Sequence, residues 1–188
     1  MKFSLRQRIL MAAAGLAAAL VGLVAYEAGA RQTGQEIRLP MRAVDPRSLL
    51  SGHYAALDLG FARPEGAPCP PGAGEATYPR REASNDWVAL RPAQDGAYTV
   101  AGAAPTRAEA ARLGPVQVRG EAACAGPEMR LDIGVARFHA DQKSAQALEA
   151  RLRGGNVQAA AIVSVGRDGR ARLVGVIAGD RRIDLPMF

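Results

Sequence analysis

Residues 9–26, ILMAAAGLAAALVGLVAY, contain no charged side chain and follow a short leader that carries Lys2, Arg6 and Arg8. A helix of that length, at about 1.5 Å per residue, reaches about 27 Å, close to the hydrocarbon thickness of a bilayer. The stretch reads as a single membrane span. Basic residues flanking a first span stay on the cytoplasmic side, so the rest of the chain is expected outside. The competing reading is a cleavable signal peptide, because Ala28-Gly29-Ala30 has the small-x-small form that a signal peptidase accepts. The apolar run exceeds the about 7 to 15 residues usual in a signal peptide, and Glu27 stands between it and the candidate cut, which favours an anchor. The chain thus divides into a cytoplasmic leader (1–8), a transmembrane anchor (9–26), a polar linker (27–35) and an exported domain (36–188). Ala12, Ala13, Gly15, Ala19 and Gly22 give the span small faces that another membrane helix can approach.

The residues after the span suffice for one domain with a sizeable core. The whole-chain charge of +6 overstates the basicity of that domain. All 18 acidic residues lie beyond Tyr26 with 21 of the 24 basic ones, a net +3, and the arginines are scattered among carboxylates. No nucleic-acid footprint follows. Cys69 and Cys124 both fall in the exported part, where an even count allows one disulfide. With no CxxC and no metal spacing of the two histidines, zinc is not expected, and no cofactor is predicted.

Period-two alternation marks a first strand over 36–44, with Pro40 pointing to an edge. Asp45 and Pro46 can open a helical turn that Gly52 ends. Residues 53–61 alternate again as a strand, whereas 63–83, dense in Pro and Gly, read as a long loop. A hairpin is expected over 86–101, a short helix over 106–113, and a second hairpin over 116–121 and 129–138 that turns at Cys124. A helix is predicted over 139–153, with Asp141 near its start and Gly154-Gly155 at its end. Strands over 157–165, 172–177 and 183–185 close the chain as a meander. The fold class that follows is mainly β with one packed α-helix, an antiparallel sandwich or partly closed barrel, preceded by the transmembrane helix.

The segment 42–59, RAVDPRSLLSGHYAALDL, resembles the signature of the GDYXXLXY protein family. Asp45, Pro46, Arg47, Ser48, Leu49 and Leu50 form the frame before it, and Gly52, Tyr54 and Leu57 match it directly. His53 replaces an Asp of the family pattern and Leu59 a Tyr. Residues 131–138 and the meander at 164–173 fit the same layout. The resemblance implies a bacterial protein with one N-terminal span and an exported β-rich domain. It also implies a membrane complex, with a multi-pass protein and the lipid bilayer as partners. The motif reads as structural: Gly52 permits a helix-to-strand reversal, and Tyr54 and Leu57 anchor the strand that follows.

Catalytic readings are weaker. A Ser/Lys dyad from Ser48 or Ser51 would need Lys143, an ordinary polar position on the predicted helix. Ser48, His53 and Asp58 have the residue types of a triad but lie mostly along one strand. His53 and His139 with Asp58 or Asp141 make a poor metal site, and no glycine-rich loop joins a strand to a helix. The leading expectation is a non-enzymatic, partner-binding domain anchored in the inner membrane and facing the periplasm. The alternatives are an exported module for a small apolar or envelope ligand and, more remotely, a serine hydrolase.

Overall fold

The computed structural model describes residues 4–41, 54–56, 59–63, 66–75, 86–135, 137–139 and 159–184, with backbone alone at 54–56, 61, 75 and 137–139. The turn expected at 45–52 and, His139 apart, the helix expected at 139–153 lie outside the described residues.

Helix α1, Leu5–Thr33, opens on a capping box: Gln7 N donates to Ser4 Oγ at 3.4 Å and Ser4 N to Gln7 Oε1 at 2.9 Å. It is long and apolar enough to cross a membrane, and none of its residues is buried. It does not stop at residue 26. Residues 27–33, expected as a linker, continue the helix because Glu, Ala, Arg and Gln are good helix formers and no proline intervenes. Arg31 in the last turn also complements the carbonyl end of the helix dipole.

Strand β1, Gln35–Met41, follows after Gly34 and sends Ile37, Leu39 and Met41 into the core. It forms the edge of a four-stranded antiparallel sheet with β11 (Ala159–Val165), β12 (Ala171–Ala178) and β13 (Arg181–Asp184), in that order. At the edge, Pro40 withholds an N–H from no second ladder. β11 lies inside the sheet and is buried on both faces: Ala161, Val163 and Val165 point to the core, while Ile162 and Ser164 lie on the opposite side. In β12, Gly175 pairs with Ile162 and Leu173 with Val163, so Val174 is a bulge. The extra residue resets the alternation, which lets both Leu173 and Val176 face the core.

A second sheet centres on β5 (Trp87–Pro92), flanked by β6 (Tyr98–Ala104) and β7 (Val116–Arg119). Helix α2, Arg107–Ala110, is capped by Thr106 and buries Ala110 against this sheet. A third sheet has the order β3 (Gly60–Ala62), β9 (Glu128–Asp132), β8 (Glu121–Ala125) and β4 (Gly74–Glu75). β2 (Tyr54–Ala56) pairs separately with β10 (Arg137–His139). Apolar residues of the first three sheets meet in one core, and no sheet closes into a barrel among the described residues.

Several strand boundaries differ from those expected. The strand expected at 53–61 becomes β2 and β3, which belong to different sheets. The run 116–121 divides at Gly120, whose φ of +152° and approach to Asp132 O leave no room for a Cβ, so β7 joins β5 while β8 joins β9. Cys124 is therefore in a strand, with the reversal at Gly126 and Pro127 instead. Finally, β4 runs parallel to β8, so the architecture is antiparallel with one exception.

Candidate functional site

Cross-strand register assembles the most unusual chemistry among the described residues. Glu36 of β1 lies opposite Ser164 of β11, and Ser164 lies opposite Arg172 of β12. Side chains in such a row share a sheet face. Here that face is turned away from the core, and the last turns of α1 approach it.

Arg172 is a charged residue inside a strand, with its side chain only 4% exposed. Its Nε donates to Glu27 Oε1 at 2.8 Å and its Nη2 to Glu27 Oε2 at 3.1 Å, a two-pronged pair between the sheet and the end of α1. Nη1 and Nη2 also donate to Asp168 Oδ1 and Oδ2, at 3.3 and 3.1 Å. The Arg172 hydrogen bond is the main reason that the Glu27 carboxyl titrates below its ordinary value. Burial opposes the shift, and the charges of Arg172, Arg170 and Arg31 add to it. Asp168 is lowered by the same guanidinium, against a burial cost, with help from the Arg170 backbone N–H. The two carboxylates in turn hold Arg172 protonated well beyond the usual arginine range.

Asp168 belongs to the turn between β11 and β12, which the second sheet grips from the other side. Arg119 N donates to Gly169 O at 2.8 Å, Arg119 Nε to Asp168 O at 3.1 Å, and Arg107 Nη1 to Arg167 O at 2.7 Å. Both guanidinium groups lie over Trp87, 5.5 Å from the ring centroid for Arg107 and 4.9 Å for Arg119. Gly169, at φ +76°, packs against the same ring so closely that a Cβ would collide with it. A chain of contacts thus runs from α1 through Glu27, Arg172 and the 166–170 turn to Trp87 and the second sheet.

Beside this junction a pocket of about 230 Å³ is lined by Arg31, Gln32, Gly34, Glu36, Ser164, Leu173 and Val174. The Val174 bulge forms part of its wall. Ser164 Oγ and Arg31 Nε are buried without a hydrogen-bond partner, and a buried polar group left in that state costs about 1 to 3 kcal/mol. Gly34 makes space for the hydroxyl, since a Cβ there would strike Ser164 Oγ. Glu36 is engaged by Arg182 at 2.8 Å, and Arg182 also bonds Asp184.

Cys69 and Cys124 form a disulfide, with Cα atoms 6.1 Å apart, that ties β8 to the proline-rich segment before β4. Pro71 O accepts from Ala103 N at 2.8 Å, which docks that segment on β6 as well. Asp45, Pro46, Arg47, Ser48, Leu49, Leu50, Gly52 and Leu57 lie outside the described residues, as do Ser51, His53, Asp58, Asp141 and Lys143. Tyr54 and His139 are backbone partners in the β2–β10 register.

Sequence pattern alone does not mark Arg31, Ser164, Asp168 or Arg172 as site residues. A signal for one of them existed: Arg172 is a charge at a strand position next to apolar neighbours. Glu27 stands out in the sequence only for its place before the candidate cut.

A family model described as GDYXXLXY protein matches residues 16–176. No curated protein and no solved structure matches the chain.

Proposed function

The chain belongs to the GDYXXLXY protein family, and on that premise we propose that it is a single-pass protein of a bacterial inner membrane. In this reading its β domain works in the periplasm, without catalysis, as a partner-binding component of a membrane complex. The observation that carries the proposal is the continuity of span and domain. Residues 9–26 of α1 are uncharged around the whole circumference and none is buried, so this apolar surface needs lipid or other helices as solvent. The same helix, just past residue 26, gives Glu27 to the buried Arg172.

That pair argues for a retained anchor. A cut after Ala30 would remove Glu27 and leave Arg172 with one of its two carboxylates. The basic leader supports an outward domain, and a disulfide suits an oxidising compartment. The small faces of α1 offer close approach to helices of a multi-pass protein. Meanwhile the helix-to-domain junction holds the β sheets at a set distance from them.

Cross-linking in native membranes followed by mass spectrometry tests this directly. The expected result is a cross-linked multi-pass protein that also co-purifies in detergent, and that is lost when residues 9–26 are replaced by polyleucine. Recovery of the protein from the cytosol with its leader intact, or membranes that yield no such partner, would overturn the proposal.

A further inference from the structure

We propose that the pocket beneath the end of α1 receives the phosphoethanolamine headgroup of a phospholipid, its phosphate held by Arg31 and Ser164 and its ammonium by Glu36. This rests on reading α1 as a membrane span.

Position comes first. Arg31 lies five residues beyond Tyr26 on one continuous helix, about 7.5 Å further along its axis. With residues 9–26 filling the hydrocarbon core, that height is the headgroup layer, which adds about 5 to 8 Å on each side of the core.

Two hydrogen-bonding groups in this pocket are unsatisfied. Ser164 Oγ and Arg31 Nε are buried without a partner in a wall of this pocket. Arg31 has no ion pair among the described residues. A phosphate oxygen seated between the two groups supplies both missing acceptors.

Charge balance selects the headgroup. Arg31 and Glu36 line the pocket, and the adjoining charges are Arg170, Arg172 and Arg182 against Glu27, Asp168 and Asp184, so the cluster as a whole is balanced, four positive groups against four negative. A net anionic lipid finds no surplus of positive charge here. A zwitterion places its phosphate on Arg31, the cation that lines the pocket, and its ammonium beside Glu36, whose side chain is 45% exposed and keeps lone pairs beyond those given to Arg182. An ammonium can donate to that carboxylate, whereas a choline group has no N–H to give. The volume, about 230 Å³, is below the roughly 300 to 1,000 Å³ of drug-sized ligand sites and suits a headgroup whose acyl chains remain in the bilayer.

The test uses the full chain, purified in detergent, exchanged into phosphatidylethanolamine, phosphatidylglycerol or phosphatidylcholine, and read by native mass spectrometry. The expected result is a retained phosphatidylethanolamine adduct, favoured about tenfold over either other lipid and reduced about tenfold by Arg31→Gln. Ser164→Ala is expected to weaken the adduct while leaving the unfolding midpoint in lipid-free detergent unchanged or raised, since it removes an orphaned hydroxyl. Water-soluble O-phosphoethanolamine, offered at the same concentration, is expected not to displace the lipid. Equal retention of all three lipids, adducts insensitive to both substitutions, or displacement by the soluble headgroup would overturn the proposal. Carbonate extraction separates this from failure of the membrane reading: a chain that pellets with membranes yet shows no lipid preference refutes only the headgroup site.

Discussion

Removing both carboxylates from Arg172 should cost far more than removing them one at a time. The guanidinium is 4% exposed, while Glu27 and Asp168 are 46% and 32% exposed. Either carboxylate can rely on water when its partner is lost, but the arginine cannot. Glu27→Gln leaves Arg172 with Asp168, and Asp168→Asn leaves it with Glu27 while keeping an acceptor for Arg170 N. Solvent screening discounts each of these to about 1 kcal/mol. The double variant strands a buried charge, which costs about 3 to 5 kcal/mol. Taking 4 as the central value, the coupling is about 2 kcal/mol beyond the sum of the singles. Urea unfolding of the full chain in detergent, followed by Trp87 fluorescence, reads this out. With a slope of about 2 kcal/mol per M, the singles move the midpoint by about 0.5 M and the double by about 2 M. Replacing Arg172 by Met in the double variant removes the stranded charge and should recover most of the loss. Additivity of the two singles within about 0.5 kcal/mol, or no recovery with Met, would refute the account.

The same carboxylates set a pH dependence. Both have lowered values in the folded protein, so their stabilisation is fully present above their ordinary values of 4.5 and 3.8 and is lost as pH falls through the lower folded values. Unfolding midpoints should therefore be flat with respect to these groups from neutral pH down to about 5 and fall below that, and Glu27→Gln should shrink the acid-side drop. Reducing the Cys69–Cys124 bond, which spans 55 residues, should lower stability by about 4 kcal/mol in the chain-entropy model, measured as the difference between oxidised and Cys69→Ser/Cys124→Ser protein. Gly169→Ala forces a Cβ into the Trp87 ring at a left-handed φ and should cost about 1 to 3 kcal/mol, with a red shift in the emission of the single tryptophan. An unshifted spectrum would show that the ring does not depend on that glycine.

Elements with a local cause were legible in the sequence. The apolar run of 9–26 needs nothing beyond its own length and composition to read as a span. The alternation of Ile37, Leu39 and Met41 likewise gives β1, and the turns at 94–96 and 167–169 give the hairpins around them. Boundaries set by competing partners were not legible. The run 116–121 divides because Gly120 comes against Asp132 O, a neighbour distant in sequence.

The sequence by itself determined the membrane-length helix, the β-rich domain behind it and the membership of a family, because each follows from patterns of hydropathy or residue identity read along one stretch of chain. Only the tertiary structure decided the junction. Glu27 and Arg172 are 145 residues apart, and Ser164 is an unremarkable serine until the register of β1, β11 and β12 sets it between Glu36 and Arg172. The physical reason is that burial, pairing and orphaned hydrogen bonds belong to the space between elements. Strand register and one bulge create that space, and both are settled by cross-strand packing over the whole domain rather than by any local preference.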